Sequence, residues 1–333
     1  MPRVSIGATA ALAALALLAT ACNGGGGEGE LREVTFMAGF RPQANLPFVA
    51  VYVADANGYF EEEGLDVTIR HSAGADEHIK LLLEGEVAFT TGTAAQSLRQ
   101  YAEGLPLRAV ALFGQRGDQG FVTRAGSGIR SPADFRDRSV GFKAGVVPAE
   151  LHALLATAGL SVDDVNLQAV GFDPRVFIEG QVDVYPVFLN NEPDTIRRAG
   201  VEINVIDPHE YGVPTLGVVY LAREETVADD PDLVERFLRA ALRGAAWGRD
   251  HVEEAVEITL TFADGASADH QRFLLETDLA SAHRDDGMGR STPDQWEALA
   301  GVLLRHGVLE SPLDATAAFH GGAVERIYAD GLE

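Results

Sequence analysis

The residues best suited to bind a small molecule follow predicted strands. The first segment, Gly39-Phe40-Arg41-Pro42-Gln43-Ala44-Asn45, comes directly after an apolar run at 34–38. Phe40 offers a flat face on which a planar ring can stack, and Asn45 carries both donors and acceptors of hydrogen bonds. The same two residues also suit structural roles, Phe40 in the core and Asn45 as the N-cap of the next helix.

A second polar group ends the next predicted strand. Thr90, Thr91 and Gly92 follow the run at 87–89, and Gln96 opens the predicted helix after them. Their side-chain and backbone donors suit the polar edge of a binding site near a helix N-terminus. Alternatively, these residues serve only to cap that helix.

The second half of the chain contains another strand-to-turn segment, Phe142-Lys143-Ala144-Gly145-Val146. A helix is predicted behind it, and the positive end of the helix dipole favours an anionic or carbonyl oxygen. Phe142 and Gly145 are therefore candidate ligand contacts. Lys143 is either part of that turn's chemistry or only solvated.

The most informative segment is a predicted strand at 185–189 that runs into Asn190, Asn191 and Glu192. A carboxylate at the mouth of an apolar crevice can accept hydrogen bonds from an aminopyrimidine or another heterocycle that bears N–H groups. Phe188 and Asn190 would then line the same crevice. The structural alternative is that Glu192 is an acid in the first turn of a helix.

Catalytic motifs are missing from the sequence. The nine histidines form no HExxH pair, and the sequence contains neither a Gly-x-Ser-x-Gly elbow nor a Walker loop. His71 and His78 are seven residues apart, a spacing more typical of a solvated helix face than of a metal site. The single cysteine excludes disulfides and cysteine-rich metal sites. We therefore predict a binding protein that needs neither metal nor cofactor.

Strand and helix patterns place these segments at one edge of a sheet. Apolar residues at helical spacing from 46 to 56 are followed by Gly58, which suits the left-handed end of a helix. With strands at 34–38 and 65–69, this gives a strand, helix and strand unit of an open parallel sheet. In such sheets ligands bind at the carboxyl ends of the strands.

Two internal similarities indicate that this unit is used twice. Gly64-Leu65-x-Val67 recurs as Gly159-Leu160-x-Val162, and the run at 84–89 recurs at 179–184. We predict an α/β protein of two lobes with a ligand cleft between them. The first lobe is assigned to residues 33–124, including a strand at 121–123, and to residues 218–333, with helices at 231–249, 251–262, 268–283, 293–305 and 315–329. The second lobe is assigned to residues 125–217.

The N-terminus has the features of an export signal. Arg3, an apolar stretch at 8–18 and small residues precede Cys22, and this pattern resembles a bacterial lipoprotein signal at 1–22 whose cysteine becomes lipidated. The alternative is an ordinary cleaved signal with an incidental Cys22. Residues 23–32 would form a flexible tether, so the protein is expected at the outer face of the cell membrane, anchored by lipid.

Net charge limits the partners. Lys and Arg total 26 and Asp and Glu total 50, which gives a formal net charge of −24. Such a balance repels nucleic acid and anionic lipid surfaces. We therefore expect no nucleic-acid partner, and we expect a monomer.

The motifs Tyr52-Val53-Ala54, Gly58-Tyr59-Phe60 and the run at 62–67 resemble those of substrate-binding proteins of ABC importers, in the family that includes thiamine-pyrimidine-precursor binders. The turn at 39–45 is similar to theirs, with Phe40 where they carry tryptophan. The Asn-Glu pair ending at Glu192 and the segment Tyr211-Gly212-Val213-Pro214 are similar as well, which adds Tyr211 as an aromatic wall.

The resemblance implies a type II periplasmic-binding-protein-like fold and a partnership with a membrane permease and its ATPase. It implies capture of a thiamine pyrimidine such as hydroxymethylpyrimidine or formylaminopyrimidine. Alternatives are riboflavin, or an alkanesulfonate, taurine or nitrate. A pyrimidine synthase is disfavoured because the chain has no cysteine after Cys22 and only Lys80 and Lys143 as lysines. The predicted ligand contacts are Phe40, Asn45, Thr91, Gln96, Phe142, Gly145, Phe188, Asn190, Glu192 and Tyr211.

Overall fold

The computed structural model describes residues 30–74, 76–143 and 147–332. The predicted signal with Cys22, most of the predicted tether and Gly145 lie outside these ranges. Residues from Leu31 onward form one compact unit. Among the described helices, none combines the length and the apolar character that crossing a membrane requires.

Strands and helices alternate through the described part of the chain. The strands are β1 (Arg32–Ala38), β2 (Leu65–His71), β3 (Phe89–Thr93), β4 (Leu107–Leu112), β5 (Gln119–Arg124), β6 (Ser139–Phe142), β7 (Asn166–Ala169), β8 (Val184–Phe188), β9 (Ile203–Ile206) and β10 (Val218–Arg223). The helices are α1 (Leu46–Ala56), α2 (Tyr59–Glu62), α3 (Glu77–Glu84), α4 (Ala94–Ala102), α5 (Ala149–Thr157), α6 (Arg175–Ile178), α7 (Glu192–Arg198), α8 (Glu224–Asp229), α9 (Pro231–Asp250), α10 (Val252–Phe262), α11 (Ala268–Ala282), α12 (Pro293–Arg305) and α13 (Gly322–Asp330).

The strands form two five-stranded sheets with the same arrangement. The first has the order β2-β1-β3-β10-β4 and the second the order β7-β6-β8-β5-β9. In each sheet three parallel strands are followed by one antiparallel strand, β10 in the first and β5 in the second. The α/β prediction with a repeated unit is confirmed.

The repeated sequence motifs have a common backbone role. Gly85 ends α3 with φ of 77°, and Gly180 follows α6 with φ of 78°. Both glycines adopt the left-handed conformation that ends a helix. A strand follows each of them, β3 after Gly85 and β8 after Gly180. The similarity between the two runs therefore reflects the same turn from helix to strand.

One strand was assigned to the wrong sheet. The segment at 121–123, predicted within the first lobe, lies in β5 and pairs with β8 and β9 of the second sheet. An apolar strand does not specify its partner, because pairing depends on residues far away in the sequence. The chain therefore crosses between the sheets at 113–118, before β5, and the lobe limits otherwise stay a prediction.

The predicted helix at 315–329 is also interrupted. A 3₁₀ turn at Ala315–Ala318 is separated from α13 by three residues. The break includes Gly321, whose added Cβ would lie 2.4 Å from the Phe319 ring. The other predicted C-terminal helices occur within one or two residues of their expected bounds.

The helix α1 is the centre of the first core. Pro47 lies at its N-terminal turn, where a missing N–H costs nothing, and Gly58 beyond its end has φ of 73°. Its residues from 46 to 54 are all buried. The helix α9 packs against it so closely that a Cβ at Gly244 would lie 2.1 Å from the Ala50 carbonyl oxygen. The apolar pattern thus predicted this element correctly.

Two chain segments connect the sheets, one at 113–118 and one at 207–217, and we call them the crossings. They lie side by side because Gly217 donates a backbone hydrogen bond of 2.9 Å to the Gly114 carbonyl. A Cβ on Gly217 would lie 2.8 Å from the Arg116 carbonyl oxygen and 3.0 Å from Gly114 Cα. Glycine is required here by the close approach of the two backbones.

The change Gly217→Ala tests this packing. We expect the unfolding free energy to fall by about 1–3 kcal/mol, because the added methyl group forces the crossings apart. Urea unfolding followed by circular dichroism measures the change. Gly126→Ala is the control, since no atom lies within 4 Å of its added Cβ. Equal stability of the two variants would contradict the packing argument.

Candidate ligand-binding site

The turn after β1 meets the end of β3. The backbone N–H of Gly39 donates a hydrogen bond of 2.9 Å to the Thr91 hydroxyl oxygen, and a Cβ on Gly39 would lie 2.8 Å from that same oxygen. Phe40 follows and is 47% exposed, so it does not belong to the core. This contact brings Phe40 and Thr91 to the same edge of the first sheet.

The alternative that Thr91 only caps a helix is not what the structure shows. Thr93 is the N-cap of α4, and its hydroxyl accepts from the Gln96 backbone N–H at 3.1 Å. The Gln96 side chain donates to Asp76 at 3.3 Å. Gln96 thus contacts the N-terminus of α3, and its role as a ligand contact stays a prediction.

We call the parts of the protein built on the first and the second sheet its first and second halves. In the second half, Glu192 is the first residue of α7 and is only 6% exposed. Its carboxylate accepts the Phe188 backbone N–H at 2.8 Å and lies 2.6 Å from the Lys143 ammonium. Lys143 is therefore paired rather than solvated. Burial lowers the pKa of Lys143, while the neighbouring Glu192 carboxylate opposes that change.

Aromatic rings surround this ion pair. The Lys143 Nζ lies 5.3 Å from the Phe172 ring centre, 5.0 Å from that of Tyr185 and 5.2 Å from that of Phe188. Phe142 directly precedes the lysine at the end of β6. Phe172 is 60% exposed and was not among the ligand contacts predicted from the sequence. Its position between a strand and a helix could have indicated it. The ion pair is therefore a small polar group with aromatic side chains around it.

One carboxylate connects the two halves of the site. Asp278 of α11 accepts hydrogen bonds from the Asn45 side chain at 3.2 Å and from the Leu46 backbone N–H at 2.9 Å. Its other oxygen accepts from the Asn190 side chain at 2.7 Å. Asn45 thus makes no capping bond of its own, because Asp278 supplies the acceptor at the start of α1.

The same helix makes further contacts with both halves. Near its N-terminus, the His270 ring contacts Asp194 at 2.7 Å and Asn191 at 3.1 Å. The Gln271 side-chain carbonyl accepts the Ala44 backbone N–H at 2.7 Å. Along one face, α11 therefore binds the turn after β1 and the residues around α7.

Comparison with known proteins decides the family. The pattern described as "NMT1/THI5 like" matches residues 45–255. The chain belongs to the NMT1/THI5-like family. Its relatives include the riboflavin-binding protein RibY of Chloroflexus aurantiacus, 29% identical over 87% of this chain and 85% of the relative. The formylaminopyrimidine-binding protein of Halalkalibacterium halodurans is 29% identical over 92% of this chain and 96% of the relative.

Solved structures show the same fold. The periplasmic aliphatic sulphonate binding protein SsuA of Escherichia coli has a TM-score of 0.67, with 14% identity over 86% of this chain and 90% of that one. The two-lobed periplasmic-binding-protein-like fold is therefore confirmed. A more distant family relative is named 4-amino-5-hydroxymethyl-2-methylpyrimidine phosphate synthase, from Candida albicans, 22% identical over 67% of this chain and 69% of the relative.

Not every predicted ligand contact lies in the group around Glu192. The Tyr211 hydroxyl donates to the Arg130 carbonyl at 3.4 Å, so among the described contacts it is anchored within the second half. Its role as an aromatic wall stays a prediction. The turn residue Gly145 cannot be placed, since it lies outside the described residues.

Where the crossings meet α11, the two halves are close together. Asp118, Asp278 and Arg116 line a cavity of about 20 Å³ there, which is room for about one water molecule. Burial raises the pKa of Asp278 to about 6. Burial, with the Asp278 charge added, raises the pKa of Asp118 to about 7. The protein is thus closed at this point. Ionisation of Asp118 and Asp278 is unfavourable there because both carboxyl groups are buried.

The pH dependence of stability tests the environment of Asp118. Because the folded state holds this proton up to about pH 7 while an ordinary Asp has a pKa of 3.8, the folded state binds more protons in that window. Stability must therefore fall as pH rises through it. Asp118→Asn removes the charge, so we expect its melting temperature to exceed that of the unchanged protein by about 3 °C at pH 8.

At pH 5 the difference should be smaller, because Asp118 is then mostly neutral in the folded state. Differential scanning calorimetry at pH 5 and pH 8 measures both values. Asp66→Asn, at an exposed position of β2, is the control. A melting difference that is the same at both pH values would contradict the inferred environment.

Proposed function

We propose that this protein is the solute-binding component of an ABC importer and captures a small heteroaromatic vitamin or vitamin precursor. The observation that carries the proposal is the Lys143–Glu192 pair inside a wall of aromatic rings. Glu192 would accept hydrogen bonds from a planar ligand that bears N–H groups, and the aromatic rings would stack on it. The riboflavin and formylaminopyrimidine relatives support this ligand class.

The charge of the site disfavours an anionic ligand. A sulfonate or nitrate needs cations and hydrogen-bond donors, but the Lys143 ammonium is already paired with the Glu192 carboxylate. Asp118, Glu150 and Asp278 add further carboxyl groups nearby, and the charges of Glu150, Glu192 and Asp278 all raise the pKa of Asp118. A neutral ring with N–H donors fits this field better, and a thiamine pyrimidine or riboflavin is such a ring.

Ligand capture would proceed by closure of two lobes. The first lobe would consist of the chain before the crossing at 113–118 and the chain from about residue 218 onward, and the second lobe would lie between the two crossings. A cavity of about 20 Å³ at the crossings is too small for such a ligand, so entry requires rotation about the crossings. The Asp278 contacts with Asn45 and Asn190 would then hold the closed form, which the permease and its ATPase would recognise.

A synthase is the weaker candidate. The synthase relative supports an enzyme only at lower identity. In this chain Lys80 and Lys143 are the only lysines, no cysteine follows Cys22, and Lys143 is held by Glu192.

Glu192→Gln tests the ligand contact. Hydrogen bonds to charged groups contribute about 1.5–3 kcal/mol, so we expect the dissociation constant for the bound heterocycle to rise roughly 10- to 100-fold. Isothermal titration with hydroxymethylpyrimidine, formylaminopyrimidine, riboflavin, taurine and nitrate measures it, and circular dichroism checks folding. Glu202→Gln, at an exposed position of the same half, is the control. Unchanged affinity in a folded Glu192 variant would refute the assigned contact.

Membrane attachment through Cys22 is part of the same proposal. Several acyl chains on one residue give stable anchoring, so Cys22→Ser should move the protein from the membrane fraction to the soluble extracytoplasmic fraction. Fractionation and metabolic labelling with a fatty acid measure this in a bacterial host. Serine differs from cysteine by one atom, so folding should be unaffected. Persistent labelling of the variant would show that Cys22 is not the attachment point.

A further inference from the structure

A second pocket lies beside the site described above. It has a volume of about 460 Å³, within the range of roughly 300–1,000 Å³ that is usual for small-molecule sites. One wall is the turn at 41–43, and the other is the loop and first turn of α11 at 262–271. None of the ligand contacts predicted from the sequence lines it.

Two residues connect this pocket to the ligand site. His270 lines the pocket and contacts Asn191, which directly precedes Glu192. Gln43 lines the pocket and donates a side-chain hydrogen bond to Asn45, one of the residues held by Asp278. The pocket shares no lining residue with the aromatic site, but through these two contacts it adjoins Asn45 and the residue that precedes Glu192. A side chain attached to a bound ring would reach the pocket past these residues.

The lining mixes donors with acceptors. Arg41 is exposed, and no carboxylate of the described residues lies within ion-pair distance of it. The side-chain nitrogen of Gln271 is a further donor among the lining residues. Asp264 and the Gln43 side-chain carbonyl are acceptors. Pro42 and Phe262 supply apolar contact.

A hydroxyl group suits such a lining, since it both donates and accepts hydrogen bonds. A phosphate does not, because Asp264 would repel its charge next to Arg41. Resting on the function proposed above, we propose that this pocket is a subsite for a neutral, hydroxylated side chain attached to the planar ring of the ligand. The protein would then prefer a polyol-bearing heterocycle to a bare ring.

Three flavin-type probes test the subsite. Lumichrome has the related tricyclic alloxazine ring without the hydroxylated chain, riboflavin carries the chain, and flavin mononucleotide adds a phosphate to it. We expect the unchanged protein to bind riboflavin at least about 10-fold more tightly than lumichrome, which corresponds to one or two added hydrogen bonds. Flavin mononucleotide should bind more weakly than riboflavin. Quenching of flavin fluorescence measures all three dissociation constants.

Variants of the lining locate the effect. Arg41→Ala and Asp264→Asn should each weaken riboflavin binding about 3- to 10-fold, by loss of one hydrogen bond, and should leave lumichrome binding unchanged. Arg70→Ala is the matched control, because Arg70 is exposed on β2 and does not line the pocket. Both lining residues are at the surface or in a loop, so these variants are expected to fold.

The outcomes separate this inference from the proposed function. If the protein binds lumichrome and riboflavin equally, binds only pyrimidines, prefers flavin mononucleotide, or loses lumichrome and riboflavin binding together in the two lining variants, the subsite is wrong while heterocycle binding stands. If no pyrimidine or flavin binds the unchanged protein at all, the proposed function fails, and the subsite fails with it.

Discussion

The hydrogen bonds received by the Asp278 carboxylate are the interaction on which the arrangement of the site depends. Three donors, from Asn45, Leu46 and Asn190, converge on its two oxygens. An acceptor lost at such a place leaves buried donors unsatisfied, which costs more than the bond itself contributes. The start of α1 and the end of β8 are therefore fixed relative to each other through a third element, α11. Without it, the aromatic site on one half has no defined partner surface on the other.

The duplicated sheets explain why the site lies next to the crossings. In each sheet the parallel strands end at the same edge. Beside them lies one antiparallel strand, β10 in the first sheet and β5 in the second, and each of these strands directly follows a crossing. The crossings are thereby held at the ends of paired strands. They also touch each other through Gly114 and Gly217. In the proposed closure, rotation about these crossings would change the distance between the two site halves.

The sequence predicted what local patterns determine. Helix α1 was recognisable because its apolar spacing and Gly58 are local properties. Glu192 was recognisable as an acid in the first turn of a helix after an apolar strand, and its role as a ligand contact stays a prediction. The partner sheet of β5 was predicted wrongly, because a strand's own pattern does not contain its pairing. Asp278 was missed because its three donors are 88 to 233 residues away. An acid at helical spacing from the buried residues Leu274 and Leu275 was the sign that could have indicated it.

Electrostatics connects these features to ligand capture. The chain carries a net charge of −24, and several of its acids lie around the closed crossings, where burial raises the pKa of Asp118, Glu150 and Asp278. In the proposed closure, carboxylates would come together and out of water near neutral pH, which is unfavourable in the absence of a compensating group. A ligand that donates hydrogen bonds offsets part of that cost in the closed form alone. Because a ligand shifts an equilibrium only by its differential affinity for the two forms, these acids would make closure depend on occupancy.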